Sequence, residues 1–360
     1  MSSESLCYLK CSYNSLRAFW VPHPTILIGS LLIAPIGSTQ EVTSSSEDSK
    51  YLIVALSDKS HDWVSGKVDS LASNIDTYFA SGTLADRKNT SYVSVQWTNT
   101  YSHLNYYDNR LKVRGRLDLP GTKERFNLFF DSDPEEHDSL SSRVLRSNRA
   151  SEKEDGVLGI GLKNKSSSFK VKHGIGLSSG DPIDVFYRFK LNYNTQINDH
   201  WESYFSQYIW HYHQKSWGER TQGQLTFKAN EFWEISTTSE AQYEHRYKNF
   251  EFAQIFSLHR YISNSQNLQY NIGALATDKP DFNVTDYFLS FDYRQRMYKD
   301  WLYMSVVPEL LWIRGERIHV ENNDFRKKGF DPTISLHFEI IFSGQPEYRY
   351  RNMYKQPAIK

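Results

Sequence analysis

The sequence predicts an all-β protein: an antiparallel up-and-down transmembrane β-barrel of about 14 strands, range 12–14, preceded by a short amphipathic helix. Three observations predict it. From residue 91 to residue 342 apolar and polar side chains alternate with period two. Many alternating runs extend for about ten residues, enough to cross a bilayer at a tilt and longer than ordinary sandwich strands. Aromatic residues make up 15% of a chain whose 42 basic and 42 acidic side chains cancel. A chain so rich in aromatics is not a disordered one, and zero net charge argues against a nucleic-acid partner.

Residues 1–38 read as a secretory signal. A polar region with Lys10 and Arg17 precedes an apolar run from Thr25 to Ile36. That run is too short for a membrane helix, which needs about 20 residues. A small-residue cleavage site falls near Ser38, and a buried segment of a soluble domain is the alternative. Cys7 and Cys11 lie upstream of the run, so removal of the signal leaves no cysteine. Two cysteines exclude a disulfide framework.

Residues 39–90 read as a linker followed by the helix. Residues 39–50 are rich in Ser, Thr and acid. Over 61–80, Trp63, Val64, Val68, Leu71, Ile75 and Phe79 fall near one helical face, with Ser60 or Asp62 as cap. Three readings are open: a plug inside a pore, a periplasmic docking helix, or a helix packed on the domain's edge.

The strands follow in order at 91–104, 110–119, 125–131, 156–163, 169–177, 184–193, 201–213, 219–228, 232–244, 249–261, 266–276, 286–294, 301–313 and 333–342. In 110–119, Leu111, Val113, Leu117 and Leu119 oppose Arg110, Lys112, Arg114, Arg116 and Asp118. In 184–193, Val185, Tyr187, Phe189, Leu191 and Tyr193 oppose Asp184, Arg188, Lys190 and Asn192, with Phe186 as the exception. Pro308 lacks a donor and predicts a bulge or bend. With the N-terminus in the periplasm, the short links fall on the periplasmic side. The two longest, 132–155 and 314–331, fall together on the outside, the usual arrangement of such barrels. Loop 132–155 is highly charged and reads as a solvated mobile loop or as a metal- or lipopolysaccharide-facing surface. Tyr208, Trp210, Tyr212 and Trp217, and Tyr298, Trp301 and Tyr303, are expected at headgroup level. Residues 343–360 form a C-terminal tail after Phe342.

The pattern resembles Gram-negative outer-membrane β-barrel proteins, and more narrowly a poorly characterised proteobacterial group. The stretches that carry the resemblance are His61-Asp-Trp63, the run from Arg116 to Phe126 and the run from Tyr298 to Leu310. It implies a cell outer-membrane location and partners in outer-membrane lipid, lipopolysaccharide and the barrel-insertion machinery. It brings no activity or site residues. Oligomeric state is not readable.

No motif points to catalysis, and no cofactor is expected. Gly156, Gly159 and Gly161 lack the Gly-Lys-Ser/Thr of a phosphate loop, and Gly159 and Gly161 suit a strand that bends or packs closely. His211 and His213 could share a strand face, but no third metal ligand is fixed nearby. Neither His173 nor His337 sits in a lipase-like serine motif. The candidate site is therefore the polar inner face. Its lining candidates are Arg110, Lys112, Arg114, Arg116, Asp118, Asp184, Arg188, Lys190, Asp286, Asp292, Arg294, Arg296, Glu309 and Glu339. If their charges pair across the lumen and the 61–80 helix enters it, the barrel is closed and structural. If they segregate, the lumen is a wet, ion-discriminating channel. The functional expectation is a structural or passive-channel barrel without catalysis. The alternatives are an outer-membrane enzyme acting on lipid or lipopolysaccharide, and a secreted β-sandwich that binds saccharide.

Overall fold

The computed structural model describes residues 46–79, 91–104, 106–119, 126–134, 138–145, 155–165, 169–314 and 328–343. The signal, the 80–90 segment and the tail after Ser343 lie outside them. Helix α1 (Ser46–Phe79) is followed by β1 (Tyr92–Ser102), β2 (Tyr106–Asp118), β3 (Phe126–Asp131), the short helix α2 (Leu140–Val144), β4 (Val157–Lys165), β5 (Phe169–Ser178) and β6 (Asp184–Gln196). Then come β7 (Trp201–Tyr212), β8 (Ser216–Lys228), β9 (Trp233–Glu244), β10 (Asn249–Ser263), β11 (Gln266–Thr277), β12 (Asn283–Tyr298), β13 (Leu302–Ile313) and β14 (Gly329–Phe342). Every strand pairs antiparallel with its sequence neighbours, and β1 pairs with β14 from Val93↔Phe342 to Ser102↔Thr333, closing a barrel of 14 strands. Closure gives every strand a neighbour on both sides, although the short β3 pairs with β2 only over Arg114–Asp118.

Alternation converts into two faces. Leu111, Ile160, Ile175, Val185, Ile209, Ile235, Phe256, Ile272, Trp312 and Ile334 are exposed on the outer wall. The residues between them point inward. A wet interior and a hydrocarbon exterior both tolerate this arrangement, whereas two packed sheets would bury the apolar rows. Phe186, the exception to the sequence pattern, keeps strand parity. It faces inward and is buried among Val157, Trp210 and Tyr212.

Outward aromatics band both ends. Trp217, Tyr243 and Phe250 form a chain of ring contacts at 5.3 and 4.8 Å, and Trp312 meets Phe330 at 5.1 Å. At the other end, Trp201 meets Phe227 at 5.0 Å and Phe169 meets Tyr193 at 4.6 Å. The expectation for Tyr208, Trp210, Tyr212 and Tyr303 is corrected: all four share inward parity. Trp210 is fully buried over Gly218, where an added Cβ would lie 2.4 Å from the indole. The ring needs that glycine, a cross-strand relation that one strand's composition does not display.

The links 132–156 and 314–328 leave the same end, the long-loop end. All connections at the opposite, short-turn end are brief. Pro308 interrupts pairing: the β12–β13 register passes from Ser290↔Glu309 to Tyr293↔Val306 without pairing Pro308. Its missing N–H accounts for the gap.

Helix α1 begins at Ser46, so Ser60 and Asp62 lie inside it and cap nothing. Its opening residues, through Leu52, belong to a compact unit separate from the one holding the barrel. From Ile53 onward it shares the barrel's unit and packs on the outside of the short-turn rim. Val68 and Ala72 meet outward-facing Val93, Leu117 and Leu128, with Val64 and Ile75 alongside. His61 stacks on Trp301 at 4.6 Å and on Phe342 at 5.3 Å, and its Nε2 donates to the Ile341 carbonyl at 2.9 Å. The edge placement is the one observed, and the described helix does not plug the lumen. The expected apolar face is observed in part: Val64, Val68 and Ile75 pack on the wall, whereas Trp63 and Leu71 are 66% and 52% exposed.

Candidate functional site in the barrel interior

The inner wall is chemically divided. Strands β2–β6 turn Arg110, Lys112, Arg114, Arg116, Lys170, Lys172, Arg188 and Lys190 inward. Strands β9–β14 turn inward Glu234, Glu240, Glu244, Glu251, Asp286, Asp292, Glu309, Asp331 and Glu339. Acids on the cationic side and Arg294 and Arg296 on the anionic side make mostly local contacts. Lys112 and Arg114 approach Asp131 at 3.7 and 3.8 Å, Arg110 meets Asp133 at 3.3 Å, and Arg116 pairs with Asp118. Arg294 pairs with Glu339 at 2.8 Å. These pairs form between neighbours on one wall, not across the lumen. The two walls therefore keep opposite signs, and the field runs crosswise.

All the lining residues named from sequence share inward parity, but their surroundings differ. Asp184 is buried and accepts from Gln214 N and Lys215 N, fixing the β7–β8 turn. Asp286 and Glu309 are buried too. Arg188 lies over the rings of Phe186 and Phe129 at 4.4 and 5.1 Å, and Lys190 over Tyr208 at 5.5 Å. Cation–π contact of this kind draws the Arg188 guanidinium toward the wall.

That wall is thin where four glycines face inward. Gly159 pairs with Gly176 and Gly161 with Gly174. An added Cβ at Gly159 would lie 2.6 Å from Phe129, and one at Gly176 would lie 2.7 Å from Phe186. The glycines make room for rings leaning in from β3 and β6. Gly159 and Gly161 thus serve packing, whereas a Cβ at Gly156 would meet only ordinary contacts.

The link after β3 closes down the long-loop end. Its described part, 138–145, corrects the expectation of a solvated mobile loop. The chain leaves the wall at β3 and next packs against β9–β13, about half the ring away. Leu140 and Leu145 are 1% and 0% exposed, in a cluster with Ala253, Leu275, Phe288, Leu311 and Ile313. Ser139 caps α2 by accepting from Ser142 N. Polar ties fix the strap: Leu140 N donates to Glu251 Oε2 at 2.6 Å, Gln242 Nε2 donates to the Asp138 carbonyl at 2.8 Å, and Arg143 pairs with Glu240. Each leucine contributes about 1.5–3 kcal/mol on burial from water. The neutral bond from Gln242 nets about 1 kcal/mol, and each of the two ties to carboxylates is worth about 1.5–3 kcal/mol. Apolar burial and the charged ties are therefore of similar size, and the polar ties also set the strap's position. Of the charges noted in this loop, Glu135, Glu136, Arg146, Arg149, Lys153 and Glu154 lie outside the described residues.

Sequence reasoning missed the anchors Glu240, Gln242 and Glu251. Their alternation shows that they face inward, but nothing in it shows a partner about a hundred residues earlier. No described residues assemble a metal site: among them no group of three His, Cys, Asp or Glu is so placed. His211 faces outward on β7, and His173 Nδ1 hydrogen-bonds the Tyr187 hydroxyl at 2.8 Å on the outer wall. His337 Nδ1 hydrogen-bonds Thr98 Oγ1 at 2.8 Å.

No family model and no curated protein matches the chain. Solved structures similar to it include the outer-membrane protein OmpT of Vibrio cholerae, with TM-score 0.44 and 7% identity over 70% of this chain and 96% of that one. The outer membrane channel DcaP of Acinetobacter baumannii gives 0.41 and 8% over 73% and 99%. The NanC porin gives 0.37 and 6% over 68% and 98%.

Proposed function

We propose that the protein is a passive channel of the Gram-negative outer membrane, with its short turns in the periplasm and its narrowest part at the outer mouth. The observation that carries this is the closed barrel with an apolar exterior and a charged interior divided into a cationic and an anionic wall. An interior of paired charges alone would serve a solid pillar. A crosswise field suits a conduit for small polar or ionic solutes. The half-buried lining candidates on β2, β6, β12 and β14 then border the solute path, the buried Lys112, Asp184, Asp286 and Glu309 stand behind it, and the 138–145 strap sets its width. Membership of the poorly characterised proteobacterial group belongs to this reading. So do contact of the long-loop end with lipopolysaccharide and delivery by the barrel-insertion machinery.

The test is planar-bilayer recording with the purified full chain. Stepwise conductance with a reversal potential that responds to a salt gradient is the expected result. A correctly folded, heat-modifiable barrel that gives no steps at any voltage would overturn the channel reading and leave a structural barrel.

A further inference from the structure

Helix α1 has three faces, and the structure fixes how they are turned. At about 100° per residue, His61, Ser65, Val68 and Ala72 share the face packed on the outer wall, and all four are buried. To one side of it, Asp58, Asp62 and Asp69 fall within about 40° of one another. On the other side lie Trp63, Lys67 and Leu71, with Lys67 directly opposite Asp58 by the same rotation. Asp58 accepts from the Tyr298 hydroxyl at 3.0 Å and pairs with Lys299 at 2.8 Å. Both partners are at the β12–β13 turn, the very tip of the short-turn end. The acidic flank therefore points off the barrel's end. The opposite arc holds Trp63, Lys67 and Leu71, with Ser60 and Asn74 between them; it runs from Trp63, turned directly away from the wall, to Leu71, turned sideways and away from the barrel's tip.

We infer that α1 is a collar seated in the headgroup layer of the leaflet at the short-turn end, with Trp63, Lys67 and Leu71 in contact with phospholipid. Each residue type suits that layer. An indole favours the boundary between hydrocarbon and headgroup. A lysine extends its ammonium to phosphate, and Lys67 Nζ already lies 5.7 Å from the Trp63 ring. Leu71 supplies apolar contact. The carboxylates sit on the flank turned away, as an anionic leaflet requires. This rests on the outer-membrane reading of the barrel and is independent of whether the lumen conducts.

The test uses single-cysteine variants of the full chain with Cys7→Ser and Cys11→Ser, spin-labelled in phosphatidylethanolamine–phosphatidylglycerol vesicles. Labels replace Leu71 or Asp62 on the helix, and Phe338 on the outer wall as a bilayer control. Accessibility to oxygen marks lipid, and accessibility to a nickel chelate marks water. The inference expects an oxygen-to-nickel ratio several-fold higher at Leu71→Cys than at Asp62→Cys. Equal, water-like ratios at both, with Phe338→Cys in lipid, would overturn the collar and leave the barrel in the membrane. A water-like ratio at Phe338→Cys would overturn the membrane reading, and the collar with it.

Discussion

The two ends of the barrel interior are built from different materials. Toward the long loops the lumen is filled: Leu140 and Leu145 dock in one apolar cluster, and Phe186, Trp210 and Tyr212 form another. Toward the short turns, exposed Lys170 and Lys172 and half-buried Lys190, Asn192 and Tyr204 face a polar space. The same 14 strands run through both zones, and wall and strap each contribute to the difference. Inward residues of β4, β6 and β7 build the second cluster by themselves, and the strap from 138 to 145 adds Leu140 and Leu145 to the inward apolar residues of β10–β13. A barrel of this size is wide enough to hold water, and segments folded inside it determine what passes.

The largest effect is expected from removing that filling. Replacing residues 138–145 by a Gly/Ser segment of equal length should raise single-channel conductance several-fold while the barrel stays heat-modifiable. Unchanged conductance would show that the strap does not set the width. Next comes Leu140→Ala. Its cost should be about 2–4 kcal/mol of strap docking, read as faster proteolytic cutting within the loop and noisier open-channel current. Glu240→Gln should be milder, about 1–3 kcal/mol, because it weakens ties to Arg143 and Arg220 but leaves the leucines in place. If Glu240→Gln loosened the strap more than Leu140→Ala, charge pairing rather than apolar burial would be its main anchor.

The wet zone is probed by charge. Lys170→Glu and Lys172→Glu together reverse two cations on the inner face of β5, and should move the reversal potential toward cation preference with little change in conductance. An unmoved potential would place the solute path away from the β5–β6 wall.

What the sequence disclosed follows the same division. All fourteen strands were legible, because alternation is a local property and each polar face turns to the barrel interior. The 184–196 strand even keeps its parity through Phe186. The strap was not legible. Leu140 and Leu145 stand among charges, and what makes them core residues is Ala253, Leu275 and Leu311, more than a hundred positions away. The aromatics at 208–212 misled for a related reason. Trp210 has the composition of a membrane girdle, and only Gly218 on the next strand shows that the ring lies inside. Helix α1 was legible as a helix. Its roll was legible in part: Val64, Val68 and Ile75 mark the packed face, but Trp63 and Leu71 match the same apolar period and are exposed, while His61 and Ala72 share the contact. A titratable histidine between Trp301 and Phe342 reads as polar until the rings are in place.

The smallest expected effect concerns how that helix is held. The hydrogen bond from Lys299 holds the Asp58 carboxyl below its ordinary value, and the same contact raises the Lys299 ammonium. A depressed carboxylate contributes stability above its unfolded pKa, and that contribution is lost as pH falls through the lowered value. A raised ammonium contributes below its unfolded pKa and loses that contribution as pH rises through the raised one. The tie should therefore hold across neutral pH and weaken at both extremes. The pair is exposed, so the effect should be slight beside the stacking of His61 on Trp301 and the burial of Val68 and Ala72. Asp58→Asn should leave barrel melting unchanged and abolish the acid-side increase in mobility of a spin label on α1. If instead Asp58→Asn freed the helix at neutral pH, the rim would be held mainly by charge, and the apolar contact with Leu117 and Leu128 would count for little.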